Sequence, residues 1–199
     1  MFDAAIRRRL DPLLDALGAR AARHVGADAV TLAGFAIGLA AVPALWGGAP
    51  LLALALILAN RVLDGLDGAI ARARGPTDRG AYIDIVGDFI CYAGWAFGFA
   101  LLDPANAVAA AFLVFSFVGS GSSFLAFAIL AAKRGLETTA RGRKSFFHLG
   151  GLTEGSETIA AFALACLMPG WFPAIAWTFG ALCWLTTAGR IREAWRSFA

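Results

Sequence analysis

The run DGLDGAIARARGPTDRGAYIDIVGD, residues 64–88, sets two close pairs of aspartates into an otherwise apolar neighbourhood. Asp64 and Asp67 are three residues apart, and Asp84 and Asp88 are four apart. Either spacing puts both carboxylates of a pair on one face of a helix. LLALALILAN (51–60) precedes the run and FICYAGWAFGFALL (89–102) follows it. A carboxylate inside a bilayer costs roughly 2.5–3.5 kcal/mol even on the lenient insertion scale. Four in such surroundings need a strong compensating partner, and multivalent cations are the natural one.

The remainder of the chain supports a membrane setting. Its 199 residues are 59% hydrophobic and 16% charged, with a mean hydropathy of +0.70. A soluble domain carries about 25% charged residues. Six spans are expected, at about 28–46, 50–72, 80–102, 104–132, 153–169 and 171–190, in an all-α polytopic membrane protein. The turns at 46–50, 102–104 and 169–173 hold no Lys or Arg, and all 17 basic residues fall toward the other side, in Arg7 to Arg23, Arg61 to Arg79, Lys133 to Lys144 and Arg190 to Arg196. The positive-inside rule therefore places both termini and the acidic run on the cytoplasmic side of an inner membrane. Nucleic acid is a poor partner for a net charge of +3 distributed over helix ends.

Residues 1–25 divide from the 26–199 bundle. They lack the apolar core of a secretory signal. Phe2, Ile6, Leu10, Leu13, Leu14 and Leu17 instead form an apolar stripe among charges, as in an amphipathic helix lying on an anionic lipid surface, with Asp11-Pro12 placed to cap a new helical segment. Cys91, Cys166 and Cys183 all lie in apolar spans and suggest neither a disulfide framework nor a metal site.

On the helix at 50–72, Asn60, Asp64, Asp67, Gly68 and Ala71 share a face. On the helix at 80–102, Gly80, Asp84, Gly87, Asp88 and Cys91 do. A short connection makes the two helices antiparallel neighbours whose stripes face each other. Oxygen ligands without nearby His or Cys favour Mg²⁺ or Mn²⁺ over zinc, and two pairs suit two ions. Arg72, one turn beyond Gly68, has the planar fork that grips a diphosphate. The turn Gly75-Pro76-Thr77 adds a hydroxyl and backbone donors. A set of salt bridges from these aspartates to Arg61, Arg72, Arg74 and Arg79 is the competing reading.

Asp64-x2-Asp67-Gly68-x2-Ala71-Arg72-x7-Gly80-x3-Asp84-x3-Asp88 resembles the signature of the CDP-alcohol phosphatidyltransferases. The six-helix layout is similar too, and the finer segments resemble a small bacterial inner-membrane branch of that family. The resemblance implies that Asp64, Asp67, Asp84 and Asp88 form a two-metal centre, with Asp88 also the general base. Gly68, Ala71, Arg72, Thr77 and Thr31 would hold the CDP part of a donor such as CDP-diacylglycerol. Thr31 lies where the family carries a Pro-Asn-x-x-Thr element, although this chain reads Asp28-Ala-Val-Thr31. A homodimer is also implied.

The hydroxyl acceptor is less legible. Arg141, Arg143 and Lys144 suit an acceptor phosphate such as that of glycerol 3-phosphate or an inositol phosphate, and equally suit plain positive-inside charge. Glu154 and Glu157 fit either a helix start or acceptor recognition, and His148 either an interfacial hydrogen bond or the acceptor site. Two other classes remain open, a divalent-cation transporter and a non-catalytic membrane adaptor. The first is expected to show repeated halves and midplane sites, yet 104–190 carries no second acidic motif. The second has no need of the acids.

Overall fold

The computed structural model describes residues 3–135 and 152–198, and every regular element among them is helical. The order is α1 (Asp3–Ala21), α2 (Ala27–Leu39), α3 (Ala41–Trp46), α4 (Pro50–Arg74), α5 (Asp78–Leu102), α6 (Ala107–Lys133), α7 (Gly155–Leu167) and α8 (Phe172–Ser197). One-turn 3₁₀ segments at Pro104–Asn106 and Pro169–Trp171 lead into α6 and α8.

Local chemistry explains the boundaries. Pro50 sits in the first turn of α4, where its missing N–H costs nothing. Gly75 ends that helix at φ 98°, a backbone region open to glycine and strained for other residues. Thr77 then caps α5, its hydroxyl accepting from the Gly80 N–H at 3.0 Å. The first apolar stretch is divided into α2 and α3 around Ala40, three residues before Pro43. α1 runs unbroken through Pro12, so Asp11-Pro12 does not start a separate helix.

By length and composition, Ala27–Trp46, Asp78–Leu102 and Pro104–Lys133 are long and apolar enough to cross a membrane, and α7 is a shorter apolar helix. α4 carries Arg61, Asp64 and Asp67 along its length, which sets it apart from these.

The apolar core lies in the half of the bundle away from the aspartates. Phe99 stacks on Phe172 with centroids 4.4 Å apart, and Trp95 meets Phe162 edge-on at 5.4 Å. The Trp95 indole N–H donates to the Gly38 carbonyl at 2.7 Å, satisfying a buried donor and tying α5 to α2. Arg190, buried on α8, donates to the Ser120 carbonyl of α6 at 2.8 Å. Gly94 and Gly98 admit Val42 and Leu45 of α3, and Gly119 admits Trp184 of α8, so these small residues serve packing within the chain.

α4 and α5 do not pack side by side as their short connection suggests. α2 lies against both of them, and they make almost no backbone contact with each other. α1 covers the other flank of α4, with Gly18 against Ala69 and Leu14 over Gly65.

Candidate metal centre and phosphate-transfer cleft

With α2 packed against both α4 and α5, their aspartates meet side chain to side chain across a narrow cleft. Thr31, Gly34 and Phe35 of α2 line it together with Asn60, Arg61, Asp64 and Asp67 of α4 and Ile83, Asp84, Gly87 and Asp88 of α5. Asp64, Asp67 and Asp84 each present a carboxylate oxygen within 4.8 Å of the others. Asp67 is buried and the other two are half-buried. Two like charges ~4 Å apart repel by about 4 kcal/mol at an effective dielectric of ~20. Arg61 pairs with Asp64 at 3.6 Å. Three converging carboxylate oxygens fit a hard divalent cation, and the all-oxygen donor set matches Mg²⁺ or Mn²⁺.

Asp88 is held differently. Its Oδ1 accepts from Arg61 Nη2 at 2.5 Å and its Oδ2 from the Tyr92 hydroxyl at 3.3 Å. Arg61 is itself fixed: Nε and Nη2 donate to Asn60 Oδ1 at 2.9 and 2.8 Å, and Nη1 to the Tyr92 hydroxyl at 3.2 Å. Its guanidinium lies 5.6 Å from the centre of the Tyr92 ring. Asn60 reaches the other way, its amide donating to the Gly34 carbonyl at 2.9 Å. Of the arginines near the acidic run, only Arg61 pairs with its paired aspartates: Arg79 pairs with Asp28, Arg72 with Asp15, and Arg74 donates to the Ala22 carbonyl.

The residues expected to hold the donor fall into two groups. Thr31 lines the cleft, its hydroxyl donating to the Ala27 carbonyl at 3.0 Å. Gly68, Ala71 and Arg72 follow Asp67 toward the end of α4, where Arg72 donates through Nε and Nη2 to Asp15 Oδ1 of α1 at 3.0 and 2.7 Å. Thr77 caps α5. Among the expected acceptor residues, Glu154 and Glu157 form a reciprocal capping box at the start of α7, the Glu154 N–H donating to Glu157 Oε2 at 3.1 Å. That start lies beside Tyr92, because a Cβ added at Gly155 would come within 3.7 Å of the Tyr92 hydroxyl. Arg141, Arg143, Lys144 and His148 lie outside the described residues.

Sequence reasoning missed Tyr92 and gave Arg61 only the salt-bridge role of the competing reading, which it does fill with Asp64 and Asp88. Tyr92 stands one turn beyond Asp88, a polar aromatic inside an apolar run, and that placement was the available signal.

A family model described as CDP-alcohol phosphatidyltransferase matches residues 24–189. Inner membrane protein YnjF of Escherichia coli K12 is 51% identical over 193 residues, covering 96% of this chain and 94% of that protein. Archaetidylinositol phosphate synthase of Methanothermobacter thermautotrophicus is 37% identical over 84 residues, 42% of this chain and 40% of that one. Among solved structures, phosphatidylinositol phosphate synthase PgsA1 of Mycobacterium tuberculosis, crystallised with CDP-DAG bound, superimposes with a TM-score of 0.70. That match covers 92% of this chain and 94% of the other at 20% identity, a likeness of fold.

Proposed function

The chain belongs to the CDP-alcohol phosphatidyltransferase family, and from that premise we propose that it moves a phosphatidyl group from CDP-diacylglycerol, or a related CDP-alcohol, to a hydroxyl acceptor with release of CMP. The observation that carries this reading is the convergence of Asp64, Asp67 and Asp84 in one cleft with Asp88 beside them.

Asp64, Asp67 and Asp84 would hold two Mg²⁺ or Mn²⁺ ions, which would neutralise the donor diphosphate and the charge on departing CMP. Arg72 offers its fork to the same diphosphate once it leaves Asp15. Gly68 and Ala71 leave room beside it, Thr31 lines the cleft, and Thr77 at the start of α5 would add a hydroxyl. Asp88 takes the proton of the acceptor hydroxyl as the acceptor oxygen bonds to the lipid-side phosphorus. The phosphorus–oxygen bond to CMP breaks, and CMP leaves with the electron pair.

We place this chemistry at the cytoplasmic face of an inner membrane, in a six-span bundle (26–199) preceded by a juxtamembrane helix (1–25), assembled as a homodimer. The distribution of basic residues supports the orientation. The acceptor put forward is a phosphorylated polyol such as glycerol 3-phosphate or an inositol phosphate. The basic residues between Lys133 and Lys144 and the names of the archaeal and mycobacterial relatives support that choice.

The test is to incubate the purified protein with CDP-diacylglycerol, Mg²⁺ or Mn²⁺ and a panel of acceptors, measure CMP and identify lipid products by mass. Glycerol 3-phosphate, inositol phosphate, inositol, serine and a phospholipid make up the panel. A product from serine or free inositol alone would overturn the choice of acceptor. No CMP with any acceptor, together with metal flux across sealed vesicles, would overturn the reaction.

A further inference from the structure

Both oxygens of the Asp88 carboxylate are engaged by protein donors, one by Arg61 and one by Tyr92, while Asp64, Asp67 and Asp84 gather their oxygens around a common point. The hold on Asp88 is built. Arg61 crosses from α4 to α5, two helices whose backbones scarcely touch, and its fork is locked by two hydrogen bonds to Asn60 Oδ1. Asn60 is in turn anchored on the backbone of α2 at Gly34. Arg61 is mostly enclosed, with 17% of its side chain exposed. A guanidinium bound to a carboxylate repels a metal ion approaching that carboxylate. The same contact at Asp64 is looser, 3.6 Å against 2.5 Å.

We propose that Arg61, braced by Asn60 and Tyr92, is a positioning residue that holds Asp88 out of the metal-ligand set, so that three aspartates bind ions and the fourth receives the acceptor's proton. The division rests on the reaction proposed above. The proton goes to Asp88 Oδ2, whose bond to Tyr92 is the longer of the two holds, while Arg61 keeps Oδ1 and thereby the direction of the carboxylate. Arg61 touches neither donor nor acceptor in this scheme. It acts through Asp88.

Mn²⁺ affinity, read by electron paramagnetic resonance on the full chain in detergent, tests this separately from turnover. Arg61→Met releases Asp88 toward the ions, so Mn²⁺ affinity rises about tenfold, the scale of changes at groups that orient metal ligands. CMP release falls by at least ~10²-fold, with KM for the donor little changed, because a general base is misdirected. In an Asp88→Asn background the same Arg61→Met change has a much smaller effect on Mn²⁺, since the released ligand is gone. An equal rise in both backgrounds would reduce Arg61 to bare charge and overturn the proposal, as would a fall in Mn²⁺ affinity. Tyr92→Phe removes one hold without altering charge. It is expected to raise Mn²⁺ affinity by less and to lower turnover, and it carries the same comparison should Arg61→Met not fold. A wild-type protein that binds Mn²⁺ but releases no CMP would overturn the proposed reaction, while the Mn²⁺ comparison would still decide the division of the aspartates.

Discussion

The side-chain amide of Asn60 donates to the backbone carbonyl of Gly34, and through it α2 fixes the face of α4 that carries Arg61 and the first two aspartates. One turn along α2, a side chain added at Gly38 would come within 2.9 Å of both Asn60 Cγ and Cys91 Sγ. Gly38→Ala therefore forces α2 away from both helices. The expected cost is about 1–3 kcal/mol of overpacking, seen as a lower Tm in detergent, with reduced CMP release as Asn60 moves. An unchanged Tm and rate would mean that the α2 contact does not set the cleft.

Asp67→Ala and Asp84→Ala each remove one of three converging oxygens. Loss of Mn²⁺ binding and of CMP release is expected in both. Tm in metal-free buffer should hold or rise, because like-charge repulsion is relieved. Chelator should abolish turnover in the wild type, and added Mg²⁺ or Mn²⁺ should restore it. Full activity in excess chelator would exclude metal dependence.

Asp88→Asn keeps the shape of the side chain, and its one oxygen can still accept from Arg61 while its amide group faces the Tyr92 hydroxyl as a donor. Turnover should fall at least ~10²-fold with donor binding modestly altered. Calorimetric titration of CDP-diacylglycerol beside a CMP assay checks this. Donor affinity lost in proportion to rate would make Asp88 chiefly a ligand.

Arg72 and Asp15 form a half-exposed pair, with 50% and 53% of their side chains accessible, so neither contributes much to stability. Arg72→Lys keeps charge but loses the fork, and KM for the donor should rise about tenfold with the fold intact. Asp15→Asn removes the competitor for Arg72 and should lower that KM, by at most about fivefold given the worth of an exposed pair. A donor KM indifferent to both changes would leave Arg72 as a charge that sets topology.

Much of the site was legible in the chain because helical spacing is local. Three- and four-residue steps bring Asp64 to Asp67 and Asp84 to Asp88 whatever surrounds them, and the carboxylates of the first three do converge. Glu154 and Glu157 follow the same logic: acids three apart at a helix start became a capping box. Thr77, expected to touch phosphate, is a helix cap, since a hydroxyl after Gly-Pro and three residues before Gly80 meets a backbone donor at once. Arg61 was named as a possible salt-bridge partner, but which aspartate it holds was not legible, because Asp88 is 27 residues away and a periodic pattern carries no information about such a pair.

The sequence by itself determined the helical class, the membrane setting and which aspartates share a helix face, each from composition or from spacing within one or two helices. The family came from the resemblance of the aspartate motif to a known signature. Only the tertiary structure decided that α2 packs against both α4 and α5, that α1 lays Asp15 on Arg72, and that Asp88 is bound by Arg61 and Tyr92 while the other three gather. The physical reason lies in close packing. Which helices become neighbours depends on glycine faces such as Gly34 and Gly38 finding Asn60 and Cys91, a match of shapes between distant segments, and the electrostatic partners follow from that match.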